Sequence, residues 1–338
     1  MREKHKKASI NDVAKLAKVG KASVSRYLNG KFDILSDEIQ TRIKSAITEL
    51  GYQPSLMARS IKKGNSKLIA LIVADITNAY SIEVMQGIEY ACRKNGYTLL
   101  VFNAGNDVNL EEDILSSLIG YQVEGAIVHT TASHYNDFIK FPFPLVFLDR
   151  KIDNFKADIV GLDNTRAMDE IMSHLYSQGF ERFLFITEPI GDLLSRKERA
   201  VGFWRKIEMN ETVTGELFEI TDEPELENCV CRFMRSSPTA PKAIITANSS
   251  VTLTVSQTLR RLNVVWGKDV GLVGVDDPKW TEIAGVGISA LRQPTFELGR
   301  TAFQLLYERL HNPNHHIKEI YYSGELIIRK STSYLQGK

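Results

Sequence analysis

The chain reads as a small all-α helix-turn-helix head followed by an α/β core of two doubly wound parallel-sheet subdomains. Three observations predict this architecture. The first 67 residues are basic, with 15 Lys and Arg against 6 Asp and Glu, and their apolar positions recur at helical spacing. From Lys67 onward, short apolar runs alternate with helix-periodic stretches, the pattern of parallel sheets covered on both faces. That alternation breaks near Leu162, which divides the strands into two sets and argues for two similarly wound halves over a single barrel.

Composition sets the bounds within which those elements are read. A chain of 338 residues has room for two or three domains, and 43% hydrophobic with 25% charged residues excludes wholesale disorder. No apolar run approaches the roughly 20 residues of a membrane span, and the charged N-terminus is unlike a signal peptide. Cys92, Cys229 and Cys231 are odd in number and lack zinc-like spacing, so no disulfide framework is expected. A cytoplasmic protein with no membrane partner is the expectation. The net charge of +1 hides a head at +9 and a remainder at −8, from 27 basic and 35 acidic side chains, which points to a polyanion as the head's partner.

In the head, Ser9 precedes Ile10, Val13, Ala14, Leu16 and Ala17, and Asp12 three residues on completes a capping-box pattern. After Lys18, Val19 and Gly20, a second helix runs over 21–28, with Ala22, Val24, Ser25 and Leu28. Ser36 caps a third helix, Asp37 and Glu38 suit its positive first turn, and Gly51 suits its stop. Two short helices joined by a tight turn make a helix-turn-helix, whose second helix can enter a major groove. Lys21, Ala22, Ser23 and Arg26 lie on that helix. Arg26 can pair bidentately with a guanine, Lys21 can reach a base or a phosphate, and Ser25 and Tyr27 touch phosphate or pack.

The wording "SINDVAKLAKVGKASVSRYLNG" followed by "RIKSAITELGYQPSLMARSIKKG" resembles the DNA-binding head of the lactose/galactose repressor family, and the resemblance continues through the rest of the chain. Gly20 departs from the family's usual Ser cap, and the loop "NGKFDILS" is about one residue longer than usual; that loop resembles the branch regulating ketogluconate-type sugar-acid catabolism. The resemblance implies double-stranded operator DNA as a partner. Its DNA-facing set is Ser9, Lys21, Ala22, Ser23, Ser25, Arg26, Tyr27, Asn29, Tyr52, Ala58, Arg59, Ile61 and Lys62. A segment capped by Ser55 matches the family's hinge helix, too short to hold in water alone, with Ile61 where a Leu wedges into the minor groove.

In the body, apolar runs at 68–74, 97–102, 125–129, 145–148 and 159–162 precede a helix from about 164 to 178, followed by runs at 182–187, 242–247 and 269–275. A helix is expected from 80 to 95, closed by Gly96. Ligands of such sheets sit beyond the strands' carboxyl ends, so a cleft between the halves is the natural site. Residues at those ends are polar: Asp75, Asn78, Tyr80, Thr130, Thr131, Asp149, Arg150, Asn248 and Asp276. The resemblance implies a periplasmic-binding-protein-like core. In that core Tyr80 packs on the effector, Arg150 ends an "I-D-R"-like strand, Arg199 grips the effector, and Asn248 and Asp276 supply polar contacts. The effector is then a small polar, polyhydroxyl-type molecule. Arg150 and Arg199, with Arg196 and Lys197 nearby, favour one bearing a carboxylate, a sugar acid.

The expected organisation is a head over 1–53, a hinge over 54–65 and a core over 66–338. Within the core, one subdomain takes about 66–162 and 293–321, the other about 163–292 and 322–335. Other signals carry less. The G-x-G-x-x-A pattern from Gly285 precedes a strand instead of linking strand to helix, Cys229 and Cys231 point different ways on a helix, and Asp276–Asp277 has no nucleophile or metal set beside it. No catalytic residues, metal or cofactor are expected. The expected function is that of a homodimeric repressor of a carbohydrate or sugar-acid operon, binding a palindromic operator and released by effector. Two other classes share parts of this pattern, a sugar-binding sensor without DNA function and a sugar-phosphate enzyme. The basic head opposes the first and the missing catalytic set the second.

Overall fold

The computed structural model describes residues 8–53, 65–132, 141–152 and 155–333. The chain divides into two compact units, Met1–Ser66 and Lys67–Lys338. Among the described residues no helix is long and apolar enough to cross a membrane.

The first unit holds three helices, α1 (Ile10–Leu16), α2 (Lys21–Leu28) and α3 (Asp37–Glu49). The Ser9–Asp12 capping box forms as the sequence predicts, Ser36 accepts from the Ile39 amide, and Gly51 takes a left-handed φ of 56° after α3. Val13, Ala14, Ala17, Val24, Ile43 and Ala46 make the small core, with Ile10, Tyr27, Leu28 and Tyr52 packed around it. The predicted hinge, with Ala58, Arg59, Ile61 and Lys62, lies outside the described residues.

The second unit contains two six-stranded sheets with the same strand order. The first is built from β1 (Leu68–Val73), β2 (Thr98–Asn103), β3 (Gly125–Val128), β4 (Leu145–Leu148), β5 (Asp158–Leu162) and β11 (Glu319–Tyr322), in the order β11-β5-β4-β3-β1-β2. The second is built from β6 (Arg182–Thr187), β7 (Thr214–Glu219), β8 (Lys242–Thr246), β9 (Gly271–Val275), β10 (Ser289–Arg292) and β12 (Glu325–Ile327), in the order β12-β10-β9-β8-β6-β7. Strand pairing is parallel except between β10 and β12. The chain therefore passes between the sheets after β5, after β10 and again between β11 and β12. Both orders reverse beside their first strand, the switch point at which open α/β sheets form a crevice.

Burial explains why these strands were legible. β1, β3, β4, β5, β8 and β9 are covered on both faces, and they read as apolar runs broken only at the ends of β5 and β8, by Asp158, Lys242 and Thr246. The strand β7 went unread because "TGELFE" carries two glutamates on a half-buried edge strand, where one side needs no apolar residues. The helices flanking the first sheet are α4 (Ala79–Lys94), α5 (Val108–Tyr121) and α11 (Thr295–His311). Those of the second are α6 (Asn164–Ser177), α7 (Leu194–Glu208), α8 (Glu223–Arg235), α9 (Ser249–Arg261) and the short α10 (Trp280–Ile283). α4 and α11 touch backbone to backbone. A Cβ on Gly87 would stand 2.1 Å from the Phe296 carbonyl oxygen, and one on Gly299 would stand 2.1 Å from that of Val84. This crossing docks a helix from after the second passage onto the first sheet, which ties the late chain to the early one.

Candidate functional site

The head presents α2 with one face in the core and one in solvent. Val24 is fully buried, while Lys21, Ala22 and Arg26 are exposed and Ser23 and Ser25 half-buried, so the predicted base-reading residues share the free face. Other predicted contacts have local work to do. Ser9 closes the capping box on Asp12, the Asn29 amide donates to the Ser25 carbonyl at 2.7 Å, Tyr27 meets Phe32 edge-on at 5.3 Å, and Tyr52 packs on the core. Gly20 gives α2 no side-chain cap, and nothing stands within 4 Å of where its Cβ would lie. Gly20→Ser should therefore stabilise the head by a few tenths of a kcal/mol, read as slower amide exchange in α2. No gain, with weakened operator binding, would show instead that a DNA phosphate uses those bare amides.

In the core, the carboxyl ends of both sheets face one another across a polar cleft. Asp149 and Asp276 follow β4 and β9, the third strands of the two sheets, and both take left-handed backbone, φ 57° and 72°. Asp149 accepts from the Leu162 amide at 3.2 Å, and Asp276 accepts from Gln293 Nε2 at 2.7 Å and the Ser249 amide at 3.2 Å. Burial pushes both carboxyls up from their usual range, with Arg199 opposing in each case. Tyr80 is buried between them. Burial and then Asp149 raise its phenol well above normal, and its hydroxyl has no well-formed hydrogen bond among the described residues.

Three arginines complete the cleft. Arg199 on α7 is buried, donating from Nε to Asn164 Oδ1 at 2.7 Å and from Nη1 to the Ala247 carbonyl at 2.5 Å. Arg150 donates from Nη1 to the Thr130 carbonyl at 2.6 Å, and burial followed by the nearby Arg196 charge lowers it to about 10. Arg196 pairs with Glu188 at 3.2 Å. His129 sits beside them against the Tyr80 ring at 5.3 Å; burial, then Arg150, Arg196 and Arg199, holds it neutral. The cleft thus brings together three cations, Arg150, Arg196 and Arg199, and two carboxylates, Asp149 and Asp276, with the Arg199 charge acting on both carboxylates. That mixture of cations and carboxylates suits a polar ligand bearing both a carboxylate and hydroxyls.

The remaining predicted residues divide between cleft and scaffold. Asn248 caps α9 and donates to Glu188 at 2.8 Å, and Asn78 caps α4 and accepts from Ser249 Oγ of the other half at 3.4 Å. Asp75 accepts from the Thr77 amide and hydroxyl. The hydroxyls of Thr130 and Thr131 both donate to Glu111, so these two residues meet the cleft through the Thr130 carbonyl. Asp277 turns away from Asp276. Burial raises it, but bonds from Arg329, Thr281 and Arg292 outweigh that and leave it below the usual range. Sequence reasoning missed His129, Glu188, Gln293 and Glu111. The first three follow strand ends and could have been found by that rule; Glu111 sits on a helix, where nothing marked it.

Comparison with known proteins places these features in context. Residues 9–55 match the model for bacterial regulatory proteins of the lacI family, and residues 172–332 match a periplasmic binding protein-like domain. The chain is 39% identical over 328 residues to the HTH-type transcriptional regulator PtxS of Pseudomonas aeruginosa, covering 96% of each. It is 34% identical over 330 residues to the HTH-type transcriptional regulator KdgR of Bacillus subtilis, covering 96% of this chain and 97% of that one. In fold it matches a structure of the Lac repressor bound to ONPG with a TM-score of 0.83 at 19% identity, across 96% of this chain and 100% of that one.

Proposed function

The chain belongs to the lacI family of bacterial regulatory proteins, and from that premise we propose that it is a homodimeric repressor of a sugar-acid catabolic operon, released from a palindromic operator by a carboxylate-bearing effector. It is a DNA-binding transcriptional regulator with an effector-binding core, and the match over residues 9–55 disfavours a sensor without DNA function. The observation that carries the finer reading is the set of three arginines around Tyr80 and His129, contributed by both halves of the core. A sugar acid that bridges Arg150 from one half and Arg199 from the other binds best to one relative placement of the halves. It shifts the equilibrium by its differential affinity for that state, with no cofactor required.

The homodimer is supported by an apolar groove of about 400 Å³ on the outer face of the first subdomain, lined by Met85, Tyr90, Leu99, Val101 and Phe296. Val101 lies on the edge strand β2 and is 38% exposed, and Tyr90 and Phe296 are similarly open. A second copy would cover both the edge and the groove. Val101→Lys should raise the dimer's dissociation constant by about tenfold or more by burying an unpaired charge there, as read by sedimentation; an unchanged midpoint would remove this face from the assembly.

The test of the whole reading is an anisotropy titration with the DNA upstream of the protein's own gene cluster, with and without 2-ketogluconate and 2-keto-3-deoxygluconate. Tight, salt-sensitive binding that one acid weakens is the expected result. Tight binding indifferent to both would overturn the sugar-acid effector, and no preference over random DNA would overturn the operator reading.

A further inference from the structure

Arg150 is held by a network that reaches well outside the cleft. Its Nη1 donates to the Thr130 carbonyl at 2.6 Å, while its buried Nε has no hydrogen-bond partner among the described residues. The short segment that supplies this carbonyl is itself pinned by one carboxylate. Glu111, on the first turn of α5 and fully buried, accepts from Thr130 Oγ1 through Oε1 at 2.6 Å, and through Oε2 from both the Thr131 amide and Thr131 Oγ1 at 2.7 Å. Thr130 Oγ1 in turn accepts from the Ala132 amide at 3.0 Å, which closes the turn on itself.

A buried carboxylate is a costly device for fixing a turn, since an uncharged Asn or Gln could accept some of the same bonds without the cost of burying a charge. What a carboxylate adds is three acceptor bonds from one rigid fork and a negative charge. That charge acts on Arg150, whose positive charge opposes the upward push of burial on Glu111. The repulsion that Arg150 meets from Arg196 is offset chiefly by Asp149 and Glu188, so the reach of Glu111 to Arg150 runs through the turn that it bonds, with no direct ion pair between the two among the described residues.

We propose that Glu111 is a positioning residue for effector recognition: through Thr130 and Thr131 it fixes the carbonyl that orients Arg150, so that the Nε edge of the guanidinium is aimed into the cleft to take an anionic group of the effector. The proposal rests on the cleft's role as the effector site and adds a residue outside it that sets preference for charged over neutral ligands. Glu111→Gln keeps the side chain's shape but replaces one acceptor oxygen with a donor: facing the Thr131 amide it has no partner, and facing Thr130 it reverses that bond and turns the hydroxyl's proton toward the Ala132 carbonyl at 3.4 Å, with the negative charge lost either way. Thr131→Val removes only the Oγ1 bond and guards against a folding failure of the first variant.

The experiment is calorimetric titration of the full chain with 2-ketogluconate and with fructose, its near counterpart without the carboxylate. It is run for wild type, E111Q, T131V, R150K and the double variant E111Q/R150K. Glu111→Gln should weaken the acid by about tenfold, the loss of roughly one charge-assisted bond, and leave the neutral sugar and operator affinity within about twofold of wild type. T131V should shift the acid in the same direction by less. The double variant should bind the acid no more weakly than R150K alone, because the two act through one contact. Additive losses, or equal losses for acid and neutral sugar, would overturn the proposal. A second readout needs no ligand: the Arg150 Nε–H resonance, identified by its absence in R150K, should be sharp in wild type and exchange faster in E111Q. An unchanged resonance overturns the positioning role. Failure of wild type to bind either sugar, with the resonance altered as expected, would instead overturn the effector reading and leave the positioning intact.

Discussion

Arg199→Ala is expected to abolish the response to effector while leaving operator affinity within about threefold of wild type. The side chain is 7% exposed and anchored by Asn164 Oδ1 and the Ala247 carbonyl, so its guanidinium stands in one orientation before any ligand arrives. Its charge also supports the ionised forms of Asp149, across the cleft, and Asp276. Removing it takes one or two charge-assisted bonds from a carboxylate ligand, at about 1.5–3 kcal/mol each, which is a loss of roughly tenfold to twenty-thousandfold in effector affinity. The same change removes a cation that acts on two buried carboxylates, Asp149 and Asp276, so a lower melting temperature accompanies it. Anisotropy titrations with and without effector, with circular dichroism to confirm the fold, read the outcome. Loss of operator binding in a folded variant would show that Arg199 serves the DNA-bound state itself.

The second large effect is expected in the head. Arg26→Ala should cost about 1–3 kcal/mol of discrimination at one base pair of each half-site and far less on random DNA. The structure supports the choice of residue by elimination along α2. Val24 is fully buried and Tyr27 is engaged with Phe32, whereas Arg26 projects from the open face with Lys21 and Ala22. Lys21→Ala should behave differently, lowering affinity for all sequences and reducing the salt dependence by about one counterion. Equal losses on operator and random DNA for Arg26→Ala would contradict base reading.

Both variants expose how sequence and structure divided the work. The head was legible nearly to the residue, because its signals are local. A capping box joins positions three apart, apolar residues at helical spacing select the buried face, and Gly51 supplies the left-handed stop. The doubly buried strands were legible for the same reason, since the centre of a parallel strand covered on both faces is apolar on both, as in "LIALIV" of β1 and "AII" of β8. β7 was not, because an edge strand tolerates charge and its sequence then resembles a loop.

The cleft lay between these cases. The rule that ligands sit beyond strand ends located Tyr80, Asp149, Arg150, Asn248 and Asp276, but it could not say which of them keep a polar group for the cleft. Thr130 and Thr131 looked like ligand contacts and instead bond Glu111, a residue 19 and 20 positions earlier on a helix. Asp276 and Asp277 looked like a pair and instead face different partners, Gln293 and Ser249 for one, Arg292 and Arg329 for the other.

Sequence alone determined that this chain joins a basic helix-turn-helix to twin parallel sheets, because periodicity, caps and charge are properties of neighbouring residues. Tertiary structure alone decided which side chains share the cleft and which are consumed in holding it. Those partners come from both sheets and are brought together by three passages of the chain, and a hydrogen bond between residues far apart in sequence leaves no local mark.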